Sequence, residues 1–333
     1  MIKLALDAMG GDHAPTEIVR GAFAAAALYP DTDIILIGQK DKVVPLIERM
    51  QKKHHRPNIS FIHASEVVEM NESPTQAIKQ KKDSSLAVAV KLVKNHEAQA
   101  IISAGNTGAL MASSLLGLGR IKGIERPAIA TIFPTANEDQ VLLLDMGANV
   151  DCKPKNLVQF AHMGVQYAEH VMHKVDPRVG LLSIGEEAEK GNELTIKTNE
   201  ILQKEKLNFT GNVEGKDILA GKVDIVICDG FVGNVVLKLS ESISTTIFAL
   251  LKEEINRSLL SKIGALLLLP AFKHLKKRID YDEYGGALML GLQGVCIKAH
   301  GRARETAIKN ALRVARESVK ENFIGYISQL GGN

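Results

Sequence analysis

Short apolar runs alternate along the chain with longer stretches in which apolar residues recur every three or four positions. The short runs predict buried β-strands and the longer stretches predict helices. Strands that alternate with helices indicate an α/β fold, a mostly parallel sheet with helices on both faces. The predicted strands are 2–6, 33–37, 59–62, 100–102, 128–133, 141–144, 179–183 and 225–228, and the helices between them are 15–28, 41–51, 84–95, 107–118, 155–173 and 193–205.

The C-terminal part departs from this alternation. Residues 232–271 form one long apolar-rich helical stretch, and two short runs at 287–292 and 295–299 flank Gln293-Gly294. That spacing predicts an antiparallel hairpin, and 302–322 predicts a closing helix. We expect a single two-lobed α/β domain over residues 1–333, from which a helical segment at 240–280 projects for membrane or dimer contact.

Composition narrows the class of protein. The 333 residues are 45% hydrophobic and 24% charged, which is typical of a soluble globular enzyme. Aromatic residues make up only 4%, Trp is absent and the net charge is +3, so no nucleic-acid partner is expected. Three widely separated cysteines fit a reducing cytosol. The N-terminus meets an acid too early for a signal peptide, and we expect no apolar run long enough to span a bilayer.

Glycine-rich turns with carboxylates, amides or hydroxyls follow four of the predicted strands. They occupy 7–15, 103–109, 145–149 and 228–234. Ligands bind at the carboxyl ends of parallel strands, so the four turns are expected to converge on one crevice. Exposed backbone N–H groups at such turns suit phosphate or a developing oxyanion.

The turn at 103–109 is the stronger anion candidate. Asn106 can cap the following helix, and the N–H groups of Thr107 and Gly108 would point outward at its start. Lys190 and Lys238 are cations that can reach a phosphate, and Lys238 lies one helical turn after Asn234. A plain helix cap, with Gly108 serving close packing, explains the same residues equally well.

The first turn offers candidate acid–base groups. Gly10 and Gly11 allow a sharp reversal, with Asp12 and His13 beside it. His13 is a candidate general acid or base because an imidazole titrates near neutral pH. The alternatives are a structural histidine and an Asp12 that only caps the helix opened by Pro15.

Other known catalytic and metal-binding patterns are missing from the sequence. It contains no G-x-G-x-x-G fingerprint, phosphate-binding P-loop or G-x-S-x-G elbow. No histidine spacing indicates zinc. Cys228 is disfavoured as a nucleophile because a cysteine in an apolar strand is usually inert, and His300 is a weaker candidate than His13.

Taken together, the motifs resemble those of the PlsX family of acyl-acyl-carrier-protein:phosphate acyltransferases. The resemblance rests on Asp-Ala-Met-Gly-Gly-Asp-His-Ala-Pro at 7–15, Ser-Ala-Gly-Asn-Thr-Gly-Ala at 103–109, Leu-Asp-Met-Gly-Ala-Asn at 144–149, Cys-Asp-Gly-Phe-Val-Gly-Asn at 228–234 and Lys-Ala-His-Gly at 298–301. It implies a fold similar to isocitrate and isopropylmalate dehydrogenases and to phosphotransacetylases. It also implies a cytoplasmic homodimer, peripherally associated with the membrane, that passes an acyl phosphate to a membrane glycerol-3-phosphate acyltransferase.

Under this resemblance inorganic phosphate is itself the nucleophile, and it attacks the thioester of a fatty acyl carrier protein. Phosphate binding is then assigned to Asn106, Thr107 and Gly108, helped by Lys190 or Lys238. Asn149 and Asn234 are candidate donors to the thioester oxygen. Asp12 and Asp229 either orient the reacting groups or hold Mg²⁺, and no other cofactor is expected. A nicotinamide-dependent decarboxylating dehydrogenase on the same fold and a membrane-surface scaffold are the alternative functions.

The segment 251–278 combines apolar and basic residues. Leu251, Ile255, Leu259 and Ile263 form a stripe at four-residue spacing, and an apolar tip at 264–272 follows. The basic run is Lys273, His274, Lys276, Lys277 and Arg278. This pattern predicts insertion into an anionic bilayer surface, a buried dimer interface, or both. The basic run can equally attract acidic acyl carrier protein.

Overall fold

Eleven strands form one sheet in the computed structural model, which describes residues 1–279 and 283–330. In chain order the strands are β1 Ile2–Asp7, β2 Thr32–Gly38, β3 Ile59–His63, β4 Ala100–Ser103, β5 Ala128–Pro134, β6 Gln140–Leu144, β7 Val179–Leu182, β8 Phe209–Val213, β9 Ile225–Ile227, β10 Ala287–Leu290 and β11 Val295–Lys298. Across the sheet the order is β3-β2-β1-β4-β11-β10-β5-β6-β9-β7-β8.

The sheet consists of two parallel blocks that run in opposite directions. Strands β3, β2, β1, β4 and β11 are parallel to one another, and so are β6, β9, β7 and β8. Between the blocks β10 is antiparallel to both β11 and β5, and β5 is antiparallel to β6. The β5–β6 hairpin therefore reverses the second block, whose carboxyl ends lie at the opposite edge of the sheet.

Helices cover both faces of the sheet. One core cluster packs α1, α6, α12 and α13 against it, and the other packs α4, α5 and α8. The inner strands are buried along most of their length because both faces are covered. The helices are α1 Thr16–Leu28, α2 Lys40–Lys53, α3 Pro74–Gln80, α4 Ser85–Lys94, α5 Thr107–Gly117, α6 Pro154–His170, α7 Glu193–Leu202, α8 Gly215–Ala220, α9 Gly230–Asn256, α10 Leu259–Leu267, α11 Leu269–Ile279, α12 Glu305–Lys320 and α13 Phe323–Leu330.

The structure confirms the mostly parallel α/β sheet and every strand predicted from an apolar run, including the antiparallel β10–β11 pair. It adds β8, whose Thr, Gly and Asn residues give no apolar run. It also adds three short helices, α3, α8 and α13.

The long apolar stretch is three helices rather than one. Helix α9 ends at Asn256, and the Ser258 side chain caps α10 by accepting from the Ser261 N–H at 3.0 Å. The predicted stripe from Leu251 to Ile263 is therefore broken. Only Gly230 and Gly233 are buried in α9, and α10 has no buried residue.

Helix α9 also corrects the expectation that no apolar run could span a bilayer. It has 27 residues, and by length and composition alone it is long and apolar enough to cross a membrane. Its first turn, however, is packed through Gly230 and Gly233 against the backbone of Asp145 and Asn149, in the turn that follows β6.

Candidate functional site

Three buried polar residues share one row at the carboxyl ends of β1, β4 and β11. Strand register places Lys298 beside Ser103. On the other side of β4, the register pairs Leu6 with Ile102, and Asp7 and Ser103 are the next residues of those two strands. The Ser103 hydroxyl donates to Asp7 Oδ2 at 2.7 Å, and the Lys298 ammonium donates to the carbonyl of Ala104 at 3.3 Å and to that of Ala299. Polar groups are rarely placed so deep between apolar strands without a function or a partner.

The loops that follow these three strands pack tightly against one another. A Cβ atom on Gly10 would lie 2.6 Å from the Gly105 nitrogen, so only glycine lets the first two loops approach this closely. Gly11 has a φ of +102°, a conformation that favours glycine. The Asp12 N–H donates to the Gly301 carbonyl at 2.8 Å and ties the first loop to the third. The loops therefore form one surface.

Asp12 and His13 stand on this surface. Helix α1 begins at Thr16 with Pro15 as N-cap and no side-chain cap, so Asp12 does not cap it and Pro15 lies just before its first residue. Asp12 is exposed and His13 is half-buried. Within residues 1–279 and 283–330, neither side chain has a hydrogen-bond or ion-pair partner, so both are available to a ligand.

The start of α5 has the geometry of an anion site, although Asn106 itself is fully engaged. Its side-chain oxygen accepts from the Ala109 N–H at 2.9 Å, and its amide donates to the carbonyls of Met70 and Glu72 at 2.9 and 3.1 Å. The exposed N–H groups of Thr107 and Gly108 have no acceptor in the described part of the chain. Asn106 therefore builds the helix start, and its two neighbours supply the free donors.

Electrostatic contacts connect this row to helix α9. Burial lowers the pKa of Lys298 to about 8, with Lys238 adding to the effect and Asp7 and Asp12 opposing it. Burial also lowers the pKa of His300, although the nearby Glu241 carboxylate raises it.

The ring of His300 has a defined orientation. Its Nδ1 accepts from the Arg302 N–H at 3.1 Å, so the neutral ring carries its proton on Nε2, which faces Glu241 Oε1 at 3.5 Å. Lys238 also pairs with Glu241, at 3.3 Å.

A second cluster is centred on Asp145, which directly follows β6 and is fully buried. Its carboxylate accepts four hydrogen bonds, from the N–H groups of Ile129, Ala148 and Asn149 and from the Asn149 side-chain amide, at 2.7–3.1 Å. Burial raises the pKa of Asp145, and these donors oppose the shift.

The predicted role of Asn149 as a free donor is corrected by this network. Its Nδ2 also donates to the Pro127 carbonyl at 2.7 Å, so both amide hydrogens are used. Asn149 therefore shapes the turn.

The start of α9 interlocks with the Asp145 turn. Asp229 caps the helix by accepting from the Val232 N–H at 2.9 Å, and the Gly230 N–H donates to the Asn149 carbonyl at 2.8 Å. The Asn234 side chain is exposed and lies against Gly147, whose added Cβ would be 3.5 Å from Asn234 Cβ. Asp229 thus has a structural role, and Asn234 stays available to a ligand.

The four glycine-rich turns converge in two pairs rather than in one crevice. The turns after β1 and β4 meet at one edge of the sheet, and those after β6 and β9 meet at the other, because the two blocks run in opposite directions. Helix α9 joins the pairs. Asn234, Lys238 and Glu241 follow one another on one face of α9 and span about 10 Å at 1.5 Å per residue.

The strand order separates two other predicted residues from the first cluster. Lys190 is exposed on the loop after β7, six positions from β4 and roughly 29 Å along the sheet at the usual strand spacing. Asp12 and Asp229 follow strands that are also six positions apart, so they do not share one ion. In the described residues, no three His, Cys, Asp or Glu side chains are grouped closely enough to hold a metal.

Sequence reasoning missed Lys298, Ser103 and Glu241 as site residues. A lysine that closes the apolar run Val295–Lys298 was the available signal for the first, because a charge is rarely buried without a partner. No local pattern signals Glu241, which reaches the site only through the path of α9.

Comparison with known proteins decides the family. A family model described as fatty acid synthesis protein matches residues 2–325. The chain belongs to this family. The phosphate acyltransferase of Heliobacterium modesticaldum is 53% identical over 328 residues, covering 98% of this chain and 97% of the relative. That of Desulfitobacterium hafniense strain Y51 is 52% identical over 330 residues, covering 99% and 97%. The predicted PlsX membership is confirmed.

Solved structures agree on the fold. A phosphotransacetylase from Streptococcus pyogenes superposes with a TM-score of 0.63 at 14% identity, covering 96% of this chain and 94% of the other. The EutD phosphotransacetylase from Staphylococcus aureus gives 0.62 at 14% identity, covering 95% and 94%. Identity this low supports the fold alone, so the predicted likeness to phosphotransacetylases is confirmed at that level. The likeness to isocitrate and isopropylmalate dehydrogenases stays a prediction.

Proposed function

We propose that this protein transfers a fatty acyl group from an acyl carrier protein thioester to inorganic phosphate, which yields acyl phosphate for phospholipid synthesis. The observation that carries the proposal is that the chain is 52–53% identical to phosphate acyltransferases over nearly its full length. A phosphate oxygen attacks the thioester carbonyl, the C–S bond breaks, and the thiolate leaving group takes a proton.

The residues of this chain support a reaction in which phosphate attacks directly. Burial raises the pKa of Cys152 to about 11, that of Cys296 to about 12 and that of Cys228 well above its ordinary value. Thiols that stay protonated are poor nucleophiles. An acyl-enzyme on cysteine is therefore not part of the proposal.

We assign phosphate to the surface formed by the loops after β1 and β4. The free N–H groups of Thr107 and Gly108 and the positive end of the α5 dipole would hold its oxygens. Gly10 and Gly11 allow the loops to close around it. Holding phosphate against the carbonyl in attack geometry would supply much of the rate enhancement.

The polar face of α9 would hold the thioester. Asn234 and Lys238 are exposed there and can donate to the developing oxyanion. The imidazolium form of His13, beside the phosphate surface, would protonate the leaving thiolate, and His300 would donate a hydrogen bond to it through its Nε2 proton. Asp12 would orient His13 or the phosphate.

The direct test is phosphate-dependent release of free thiol from palmitoyl acyl carrier protein. We expect thiol and acyl phosphate to form in equal amounts, and neither to form without phosphate. A scaffold would give no thiol, and a dehydrogenase would show NAD binding in a spectroscopic titration. Thiol release at the same rate without phosphate would identify a hydrolase and reject the proposal.

We propose that residues 240–279 project from one α/β domain, whose two parallel blocks are its lobes, and that they attach the protein peripherally to the cytoplasmic membrane surface. Large apolar side chains on α10 support this, with Leu259, Leu260 and Leu267 between 76% and 81% exposed. The Arg278 side chain pairs with Glu138 at 3.0 Å, so it faces the connection between β5 and β6 instead of lipid. Residue 280 of the predicted 240–280 segment lies outside the described residues.

Partners follow from the same exposed surface. Leu239, Ile243, Ile247 and Leu250 form an exposed stripe on α9 that would pair with a second copy of the chain as a homodimer. Lys273 and Lys277 of α11 would attract acidic acyl carrier protein. Membrane attachment would place the product near a membrane glycerol-3-phosphate acyltransferase.

Flotation with anionic liposomes tests the membrane attachment. The variant Leu267→Glu, Leu268→Glu should remain in the soluble fraction, while Ile247→Glu should float but sediment as a monomer in ultracentrifugation. Unchanged flotation of the double variant would reject insertion of α10.

A further inference from the structure

We propose that the Lys298 ammonium group binds the phosphate nucleophile from beneath the loop that joins β4 to α5. This inference rests on the proposed function and names a residue of the same site that the sequence motifs did not assign. Lys298 closes β11, directly beside Ser103 in the sheet register.

Two hydrogen bonds fix the ammonium group in place. It donates to the carbonyl of Ala104, at 3.3 Å, and to that of Ala299. An ammonium group has three N–H donors, so one remains, and the described residues offer it no further acceptor. Ala104 belongs to the loop that leads into α5, where the N–H groups of Thr107 and Gly108 have no acceptor in the described residues. The remaining Lys298 donor and these two N–H groups therefore lie along one short segment of chain and can bind the same anion.

In the described residues, no carboxylate lies within ion-pair distance of the Lys298 ammonium group. The residue is only 8% exposed. Asp7 is the acid that most favours the charge of Lys298, and its carboxylate accepts from the Ser103 hydroxyl and the Met9 N–H rather than from Lys298. Buried charges require a close counter-charge. A phosphate on the loop surface would supply it.

The groups facing Lys298 determine how this site depends on pH. They are Asp7 on β1, Asp12 on the following loop, Lys238 on α9 and His300 after β11. Burial holds the pKa of Lys298 at about 8, so the side chain is charged below that pH and neutral above it. Phosphate binding should therefore weaken as pH rises through about 8.

The experiment measures the KM for phosphate between pH 6.5 and 9.5. In the wild type we expect KM to rise above pH 8, approaching tenfold per pH unit. Lys298→Met should raise KM at pH 7 by about 10- to 100-fold, the range for losing a hydrogen bond to a charged group, and should abolish the pH step. Lys3→Met, which removes an exposed strand lysine, is the matched control and should match the wild type.

Two further measurements keep the test decisive. Lys298→Arg retains a cation at every pH used, so it should bind phosphate without the step at pH 8. Phosphate should raise the melting temperature of the wild type and of Lys3→Met but not of Lys298→Met. An active Lys298→Met with an unchanged phosphate KM would overturn this inference alone. Absence of phosphate-dependent thiol release in the wild type would instead reject the proposed function.

Discussion

Adding one methyl group at Gly233 should disrupt the link between the two clusters, although Gly233 lies in a helix. A Cβ atom there would lie 1.9 Å from the Asp145 carbonyl oxygen, whereas real Cβ contacts essentially never fall below 3.0 Å. The start of α9 must therefore move by about 1 Å, and the neighbouring atoms are backbone that cannot rotate away. Overpacking of this kind costs about 1–3 kcal/mol or more.

The matched control is Gly264→Ala in α10. No atom lies within 4 Å of its added Cβ, so replacing glycine with alanine in that helix should stabilise it by about 0.5–1 kcal/mol. Gly233→Ala gains the same helix propensity, so a net loss of stability isolates the contact with Asp145.

Two assays read the outcome for this pair. Chemical denaturation should rank Gly264→Ala at or above the wild type and Gly233→Ala below both. Phosphate-dependent thiol release should fall roughly 100-fold in Gly233→Ala, as expected when reacting groups shift by about 1 Å, because α9 carries Asn234 and Lys238. A Gly233→Ala protein as stable and as active as the wild type would refute the argument that α9 is fixed by this contact.

Three other changes give distinct outcomes. Asp224 forms an ion pair with Arg178 at 2.9 Å; burial raises the pKa of Asp224, but the contacts with Arg178 outweigh it and lower that pKa overall. The variant Asp224→Asn should therefore lose about 1–3 kcal/mol of stability at pH 7. Denaturation midpoints should show this difference from the wild type shrinking as pH falls below 3.8, where Asp224 becomes protonated. Buried Cys228 and Cys296, whose pKa values are raised, should not react with Ellman's reagent at pH 8 until the protein is unfolded; fast labelling with loss of turnover would contradict this. Asn106→Asp keeps the cap oxygen but places a negative charge beside the phosphate surface, so phosphate KM should rise at least tenfold. Asn106→Ser loses the same amide contacts with Met70 and Glu72 but stays neutral and can cap, so it should raise KM far less.

Much of the fold could be predicted because its signals are local. The inner strands are apolar along their length, and capping residues such as Ser84, Asn106 and Asp229 mark where helices begin. Strand β8 could not be found in this way because Thr210, Gly211 and Asn212 interrupt it and leave no apolar run.

The direction of the second block could not be predicted from the sequence. It depends on the β5–β6 hairpin, whose connection, residues 135–139, carries no Asn-Gly or Asp-Gly signal. We expected one crevice because we assumed that all the strands end at the same edge of the sheet. The reversal places Asn149 and Lys190 at the opposite edge from the phosphate surface. Individual turns were identified correctly, and their meeting in space was not.

The path of α9 then explains how two separated clusters can serve one reaction. The helix starts against the Asp145 turn, passes Lys238 and Glu241 beside Lys298 and His300, and carries on its other face an exposed apolar stripe that includes Ile243 and Ile247. The polar face therefore serves the reacting groups of both clusters, and the apolar face is left for the proposed contact with a second copy of the chain.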